Sequence, residues 1–195
     1  MTAKTDTLKK HRNGTLKVLF YGQPGVGKSE LAKFTARNLA GHSLAIEHLN
    51  GKEVSVDTVR EWCNELSLGC LFSDWTVKVV DELDLCSRDA QDLLLTYLDR
   101  LTPGRGFIGT SNLQLDLLQD RFQTRLQQYK LEAPTDEEIA SLIVSLSHDW
   151  IKPSEAMQIA VGAGGNVRAA LLDAESWLDL LEMEAATKQK GGCRG

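Results

Sequence analysis

Gly22-Gln23-Pro24-Gly25-Val26-Gly27-Lys28-Ser29 reads G-x-x-x-x-G-K-S. Thr15-Leu16-Lys17-Val18-Leu19-Phe20-Tyr21 precedes it as a strand-like run, and Glu30 to Ala40 follows with helical spacing. Strand, glycine loop and helix in that order form the context in which this motif wraps a phosphate. Glycine lets the backbone close round phosphate oxygens, because any other residue would place a Cβ there. Amide N–H groups at the helix start then face the anion, assisted by the helix dipole. Lys28 supplies a mobile positive charge for β- and γ-phosphates, and Ser29 a hydroxyl for Mg²⁺. The expected nucleotide contacts are Gly22, Pro24, Gly25, Val26, Gly27, Lys28, Ser29 and Glu30.

The 195 residues suffice for one domain, or one with a small appendage. A hydrophobic fraction of 42% with 25% charged residues is that of a soluble globular chain. No run of about 18 apolar residues occurs, so no membrane helix is expected. Met1-Thr2-Ala3-Lys4-Thr5-Asp6 lacks the apolar core of a secretion signal, which makes a cytoplasmic location the expectation. A formal charge of −5 argues against a surface that coats nucleic acid generally. The basic stretch Lys9-Lys10-His11-Arg12 reads as part of a solvated arm. Cys63, Cys70, Cys86 and Cys193 form no C-x-x-C pair, so no zinc site is expected. Cys63 and Cys86 are placed on helices as small apolar groups. The histidines form no constellation.

Beyond the first helix, Gly41 is a C-terminal stop. Strands are expected at 42–49, 75–80, 107–110 and 128–131, and helices at 54–66, 87–101 and, as a polar connection, 113–126. Val56, Val59, Cys63 and Leu66 make one apolar stripe, with Ser55 as the cap. Ala90, Leu93, Leu94, Tyr97, Leu98 and Leu101 make another. Asn50-Gly51 is a turn signal. From Pro134 the chain reads as helices only. Thr135-Asp136-Glu137-Glu138 is a capping box opening the first, Lys152-Pro153 opens the second, which should end at Gly162, and Gly164-Gly165-Asn166 opens the third, to about Glu184. Alternating strands and helices imply an α/β layer with a mostly parallel sheet.

Val77-Lys78-Val79-Val80 delivers Asp81-Glu82 at its end. At that position Asp81 is suited to assist Mg²⁺. Glu82 beside it is suited to take a proton from attacking water.

The ensemble resembles the AAA+ ATPases, and within them the small subunits of sliding-clamp loaders such as replication factor C. The likeness lies in residues 19–29, in Leu49-Asn50-Gly51-Lys52-Glu53, in Lys78 to Asp84, and in Arg88-Asp89-Ala90-Gln91-Asp92-Leu93-Leu94. It implies ATP as the nucleotide. It also implies that Asn112 senses γ-phosphate and orients water. Arg125, in Thr124-Arg125-Leu126, matches the clamp loaders' serine-arginine-cysteine motif and would reach a neighbouring subunit's ATP, with Arg121 as a rival finger. Arg168 matches a second sensor contacting nucleotide in its own subunit. Thr124 and Leu126 depart from the usual serine and cysteine. No counterpart of the clamp-loader collar follows the lid, so assembly is expected to use the ATPase modules or another subunit.

The expected fold is α/β. A three-layer P-loop domain of the AAA+ type spans 14–132 with a mostly parallel five-stranded sheet. A small all-α lid spans 133–186, between a mobile arm at 1–13 and a disordered tail at 187–195. The expected catalytic residues are Lys28, Glu82, Asn112 and Arg125, the metal ligands Ser29 and Asp81, and the cofactors ATP and Mg²⁺. ATP and Mg²⁺ would sit at the domain junction, in a homo- or hetero-oligomeric ring acting on a partner, DNA and a sliding clamp first. Alternatives are a helicase loader or other DNA-associated motor, a protein-remodelling ring, and a nucleotide-binding scaffold that does not hydrolyse.

Overall fold

Three central strands, buried on both faces, can be satisfied only between two layers of helix. The computed structural model describes residues 14–112 and 120–191. Its strands are β1 (Thr15–Gly22), β2 (Ile46–Asn50), β3 (Thr76–Asp81), β4 (Arg105–Ser111) and β5 (Gln127–Leu131). They form one sheet in the order β2-β3-β4-β1-β5. Every pairing is parallel, so the sheet is wholly rather than mostly parallel.

The helices of this unit are α1 (Lys28–Ala40), α2 (Val56–Glu65), α3 (Arg88–Asp99) and the short α4 (Asp120–Gln123). Alternation along each strand divides the core. Leu16, Val18 and Phe20 of β1, Val77 and Val79 of β3, and Ile108 of β4 pack with Ala32, Ala36 and Ala40 of α1. Leu19, Val80 and Phe107 point the other way, onto Val59, Trp62, Leu94, Tyr97 and Leu98 of α2 and α3. The result is the expected three-layer α/β arrangement.

Local chemistry fixes the helix ends. Ser55 caps α2, its Oγ accepting from the Thr58 N–H at 3.1 Å, and Ser87 caps α3 through the Ala90 N–H at 3.3 Å. Gly41 takes a left-handed φ of 71° and donates to the Arg37 carbonyl at 2.8 Å, which closes α1.

The chain divides into two compact units, Met1–Gln23 with Lys28–Leu131, and Pro24–Gly27 with Glu132–Gly195. The tip of the glycine loop thus groups with the second unit. That unit holds α5 (Asp136–Leu146), α6 (Pro153–Ala163) and α7 (Val167–Gly191) round Ile139, Ile143, Ile151, Ala156, Ala160 and Ala170. Thr135 and Glu138 form the expected capping box at α5.

Several sequence expectations shift. The stretch 43–45 is a 3₁₀ turn, and β2 begins only at Ile46. Trp62, outside the expected stripe, is the largest buried side chain of α2. Cys86 is buried, but it follows the 3₁₀ turn Leu83–Leu85 instead of lying in a helix. α6 passes Gly162 and ends at Gly164, whose φ of 56° suits glycine, because one isolated glycine does not stop a helix that is otherwise packed. α7 extends through Gly191, into the expected disordered tail, because Ala185, Ala186, Lys188, Gln189 and Lys190 are all strong helix formers. Of the polar connection at 113–126, helix is described only at Asp120–Gln123. The expected arm at 1–13, Cys193 and residues 113–119 lie outside the described residues.

Candidate nucleotide and catalytic site

The glycine loop is built where side chains do not fit. Gly22 has φ +148°, and a Cβ on it would overlap the carbonyl oxygen of Leu131. Within the second unit, a Cβ on Gly25, at φ +82°, would overlap the side-chain amide of Asn166. Gly27 differs: its φ is +93°, yet nothing lies within 4 Å of where its Cβ would be. Glycine reaches this φ without strain and leaves the loop backbone accessible at that point.

Lys28 opens α1 and is buried, with 6% exposure. Its Nζ donates to the carbonyls of Gly22 at 3.0 Å and Gln23 at 2.6 Å, which ties the ammonium across the loop. Ser29 is half-buried in the same first turn. The Glu30 carboxylate accepts from Lys33 Nζ at 2.7 Å, and that hydrogen bond holds its pKa below the usual carboxylate value. Its contribution to the loop is therefore its backbone N–H, one of the four that no helix carbonyl satisfies.

Parallel pairing brings the ends of β2, β3 and β4 to one edge of the sheet, with Asn50 beside Asp81. The Thr110 hydroxyl donates to Asp81 Oδ1 at 2.9 Å and accepts the Glu82 N–H at 3.1 Å. His48 Nε2 meets Asp81 Oδ2 at 2.6 Å, and since a carboxylate only accepts, that nitrogen carries the proton. Asn50 Nδ2 donates to Glu82 Oε2 at 3.1 Å, and Asn112 Nδ2 donates to Glu82 Oε1 at 3.1 Å. Both carboxylate oxygens are thus fixed while each keeps a lone pair for a further donor.

The Glu82 backbone has φ 56°, ψ 54°. For a non-glycine residue this left-handed conformation costs about 1–3 kcal/mol. The Thr110 hydroxyl on its N–H and the Leu85 N–H on its carbonyl, at 2.8 Å, hold it there. Gly51 makes room: it is buried, donates to the Asp81 carbonyl at 2.6 Å, and a Cβ on it would overlap the Glu82 carbonyl oxygen.

Among the described residues no three His, Cys, Asp or Glu come together as a metal cage. Mg²⁺ does not need one. It is commonly held by one or two carboxylates with substrate phosphates and water. Asp81 and Ser29 carry oxygens of that kind, and the buried Lys28 ammonium suits a phosphate.

The structure brings Asp81, Glu82 and Asn112 together at one edge. Arg125 follows α4, and its guanidinium is paired with Asp99 of its own chain. Arg121 is exposed on α4. Arg168 is the second residue of α7, beside Asn166, whose Oδ1 caps that helix through the Ala169 N–H at 3.2 Å. Sequence reasoning missed His48, Thr110 and Asp99, and placed Asn50 in a turn and in the resemblance without a contact to Glu82. The available signal was position: His48 and Asn50 alternate on the edge strand, and Thr110 lies two residues before Asn112.

A family model described as "ATPase family associated with various cellular activities (AAA)" matches residues 18–131, more than half of the chain. A replication factor C small subunit from Methanosarcina acetivorans is 27% identical over 178 residues, covering 83% of this chain and 51% of that protein. A probable replication factor C subunit 5 from Dictyostelium discoideum is 28% identical over 170 residues, covering 82% of this chain and 49% of the relative. The chain thus spans about half the length of the curated relatives it matches. A RuvB variant from Thermotoga maritima shares the fold with a TM-score of 0.76 at 20% identity, over 94% of this chain and 61% of that one. A DNA polymerase III gamma subunit-related protein from the same organism gives a TM-score of 0.66 at 14% identity, over 93% and 61%.

Proposed function

We propose a function from the premise that this chain belongs to the AAA family of ATPases. It binds ATP with Mg²⁺ and hydrolyses it, and uses the cycle to move a partner in DNA replication, in the manner of a clamp-loader subunit. The observation that carries hydrolysis is the clamp on Glu82: two amides hold its carboxylate, and one hydroxyl holds its left-handed backbone, at the strand end. Such preorganisation is what a general base requires, and its cost in strain has no use in a passive scaffold.

Lys28 and the loop amides hold the phosphates, while Ser29 and Asp81 hold Mg²⁺. The ion, when bound, withdraws charge from the transferring phosphoryl group. Glu82 accepts a proton from water, and Asn112 keeps its oxygen aimed. Arg125 completes the site of a neighbouring copy, and Arg168 is assigned to nucleotide on resemblance alone. The names of the curated relatives, subunits of a replication factor, support a replication setting; within it the partners proposed are a sliding clamp and DNA, met by an oligomer.

Steady-state turnover of Mg·ATP by the wild type and by Glu82→Gln tests this reading. The variant should bind ATP and turn it over about 10²–10⁴-fold more slowly, the range of a lost general base. Equal turnover in the two proteins would remove Glu82 from the chemistry.

A further inference from the structure

We infer that Asp99 is the positioning residue for Arg125, the element that presents this guanidinium to a neighbouring copy's nucleotide. The inference rests on the reading of Arg125 as the finger and goes beyond it by naming what aims it.

Asp99 is the last residue of α3, and the last turn of that helix carries no basic residue. An acid at this end opposes the helix dipole, so its placement calls for a compensating partner. Arg125 is that partner. Its Nε donates to Asp99 Oδ1 at 2.8 Å, and its Nη2 donates to Oδ2 at 2.9 Å. This is the two-pronged match of guanidinium to carboxylate, which fixes direction as well as charge. Nη1 donates to the Arg121 carbonyl at 3.2 Å. Of the five N–H donors, one on Nη1 and one on Nη2 are left for an incoming oxyanion. The arginine can therefore serve a neighbour without releasing Asp99.

The backbone beneath is also fixed. The N–H groups of Arg125 and Leu126 donate to the Phe122 carbonyl at 3.1 and 3.0 Å, and Phe122 and Leu126 are both buried. Arg121 contrasts with this. It is exposed, and its guanidinium has no hydrogen bond or ion pair among the described residues. A catalytic cation acts through a preset geometry, and among the described residues Arg125 has one. The pairing thus favours Arg125 over its rival.

The other end of α3 gives Asp99 a second property. The helix starts at Arg88, just beyond the 3₁₀ turn that follows Glu82. Twelve residues carry the chain about 18 Å to Asp99. Ala90, Leu94 and Leu98 bury this helix against the sheet, which fixes Asp99 in place relative to it.

The test is a double-mutant cycle on the full chain, with kcat and KM for Mg·ATP measured for wild type, Asp99→Asn, Asp99→Glu, Arg125→Ala and Asp99→Asn/Arg125→Ala. Arg125→Ala should lower kcat about 10³-fold, the lower end for an arginine finger. Asp99→Asn should lower kcat about tenfold, with KM and thermal midpoint unchanged, as expected for a displaced catalytic group. Asp99→Glu should recover most of that loss, and adding Asp99→Asn to Arg125→Ala should cost nothing further. Wild-type kcat in Asp99→Asn beside a collapsed Arg125→Ala would overturn the inference and leave the finger standing. An Asp99→Asn loss that persists in the Arg125→Ala background would also overturn it. Wild-type kcat in Arg125→Ala would instead overturn the finger reading itself.

Discussion

β3 carries two departures from an apolar strand, three residues apart, and they are treated differently. Lys78 in mid-strand is buried on the face of α2, where its ammonium meets the carboxylates of Glu47 and Glu65, the latter at 2.7 Å. The Trp62 ring lies 5.4 Å away, and its N–H donates to Glu47 at 3.1 Å. One charge is thus matched by opposite charges from β2 and α2, which joins three elements. At the strand end, the groups on Asp81 and Glu82 are a hydroxyl, an imidazole and two amides. Two amide dipoles orient the Glu82 carboxylate without neutralising it as an ammonium would. The buried Lys78 charge, enclosed by two opposite charges and a ring, is spent on the fold. A charge aimed by dipoles stays available to a metal ion or a proton.

Substitutions at the two places should separate accordingly. The largest effect is expected for Gly51→Ala, which would push Glu82 off its position through the carbonyl overlap. Turnover should fall on the order of 10²-fold, as for a displacement near 1 Å, while ATP affinity stays close to wild type. Parallel ATPase and equilibrium-binding measurements check this, and unchanged turnover would break the contrast between the two ends of the strand.

Lys78→Ala should act on stability instead. Loss of a fully buried partner costs about 3–5 kcal/mol. Here Glu47 and Glu65 are 39% and 50% exposed and can rehydrate, so a smaller loss of about 1–3 kcal/mol is expected. Urea unfolding would measure it, and turnover per folded molecule should not change. Lys78→Met, which keeps the volume, should recover part of the loss.

Ser55→Ala removes the cap of the helix bearing Trp62 and Glu65, and should cost about 1 kcal/mol by the same measurement. An intact unfolding midpoint would show that the box with Thr58 contributes nothing.

A comparably small effect is expected at alkaline pH. Burial pushes the Cys86 thiol up to about 12 from an ordinary value near 9, with Asp84 adding to the shift. Above pH 9 the unfolded chain loses this proton and the folded chain keeps it. The folded state then binds more protons, so stability falls as pH rises between about 9 and 12. Unfolding at pH 8 and pH 10 should show the decline, and Cys86→Ala should reduce it.

Much of this contrast was visible in the chain before folding. The glycine spacing, Lys28 and the acidic pair after an apolar strand specify a P-loop domain, because each depends on local order that sequence preserves. Lys78, within Val77-Lys78-Val79-Val80, gave no sign of its partners, since they lie 31 and 13 residues away and meet it only through strand pairing and helix packing. His48, Asn50 and Thr110 were hidden for the same reason: their role follows from parallel register. Asp99 carried no signal at all, because an exposed acid at a helix end is ordinary until an arginine 26 residues later closes on it.

Equilibrium titration of the purified chain with ATP in magnesium tests the central claim most directly. Saturable binding of one nucleotide per chain, lost in Lys28→Ala and kept in Glu82→Gln, is the predicted result. No affinity for adenine nucleotide, or affinity that survives Lys28→Ala unchanged, would contradict it.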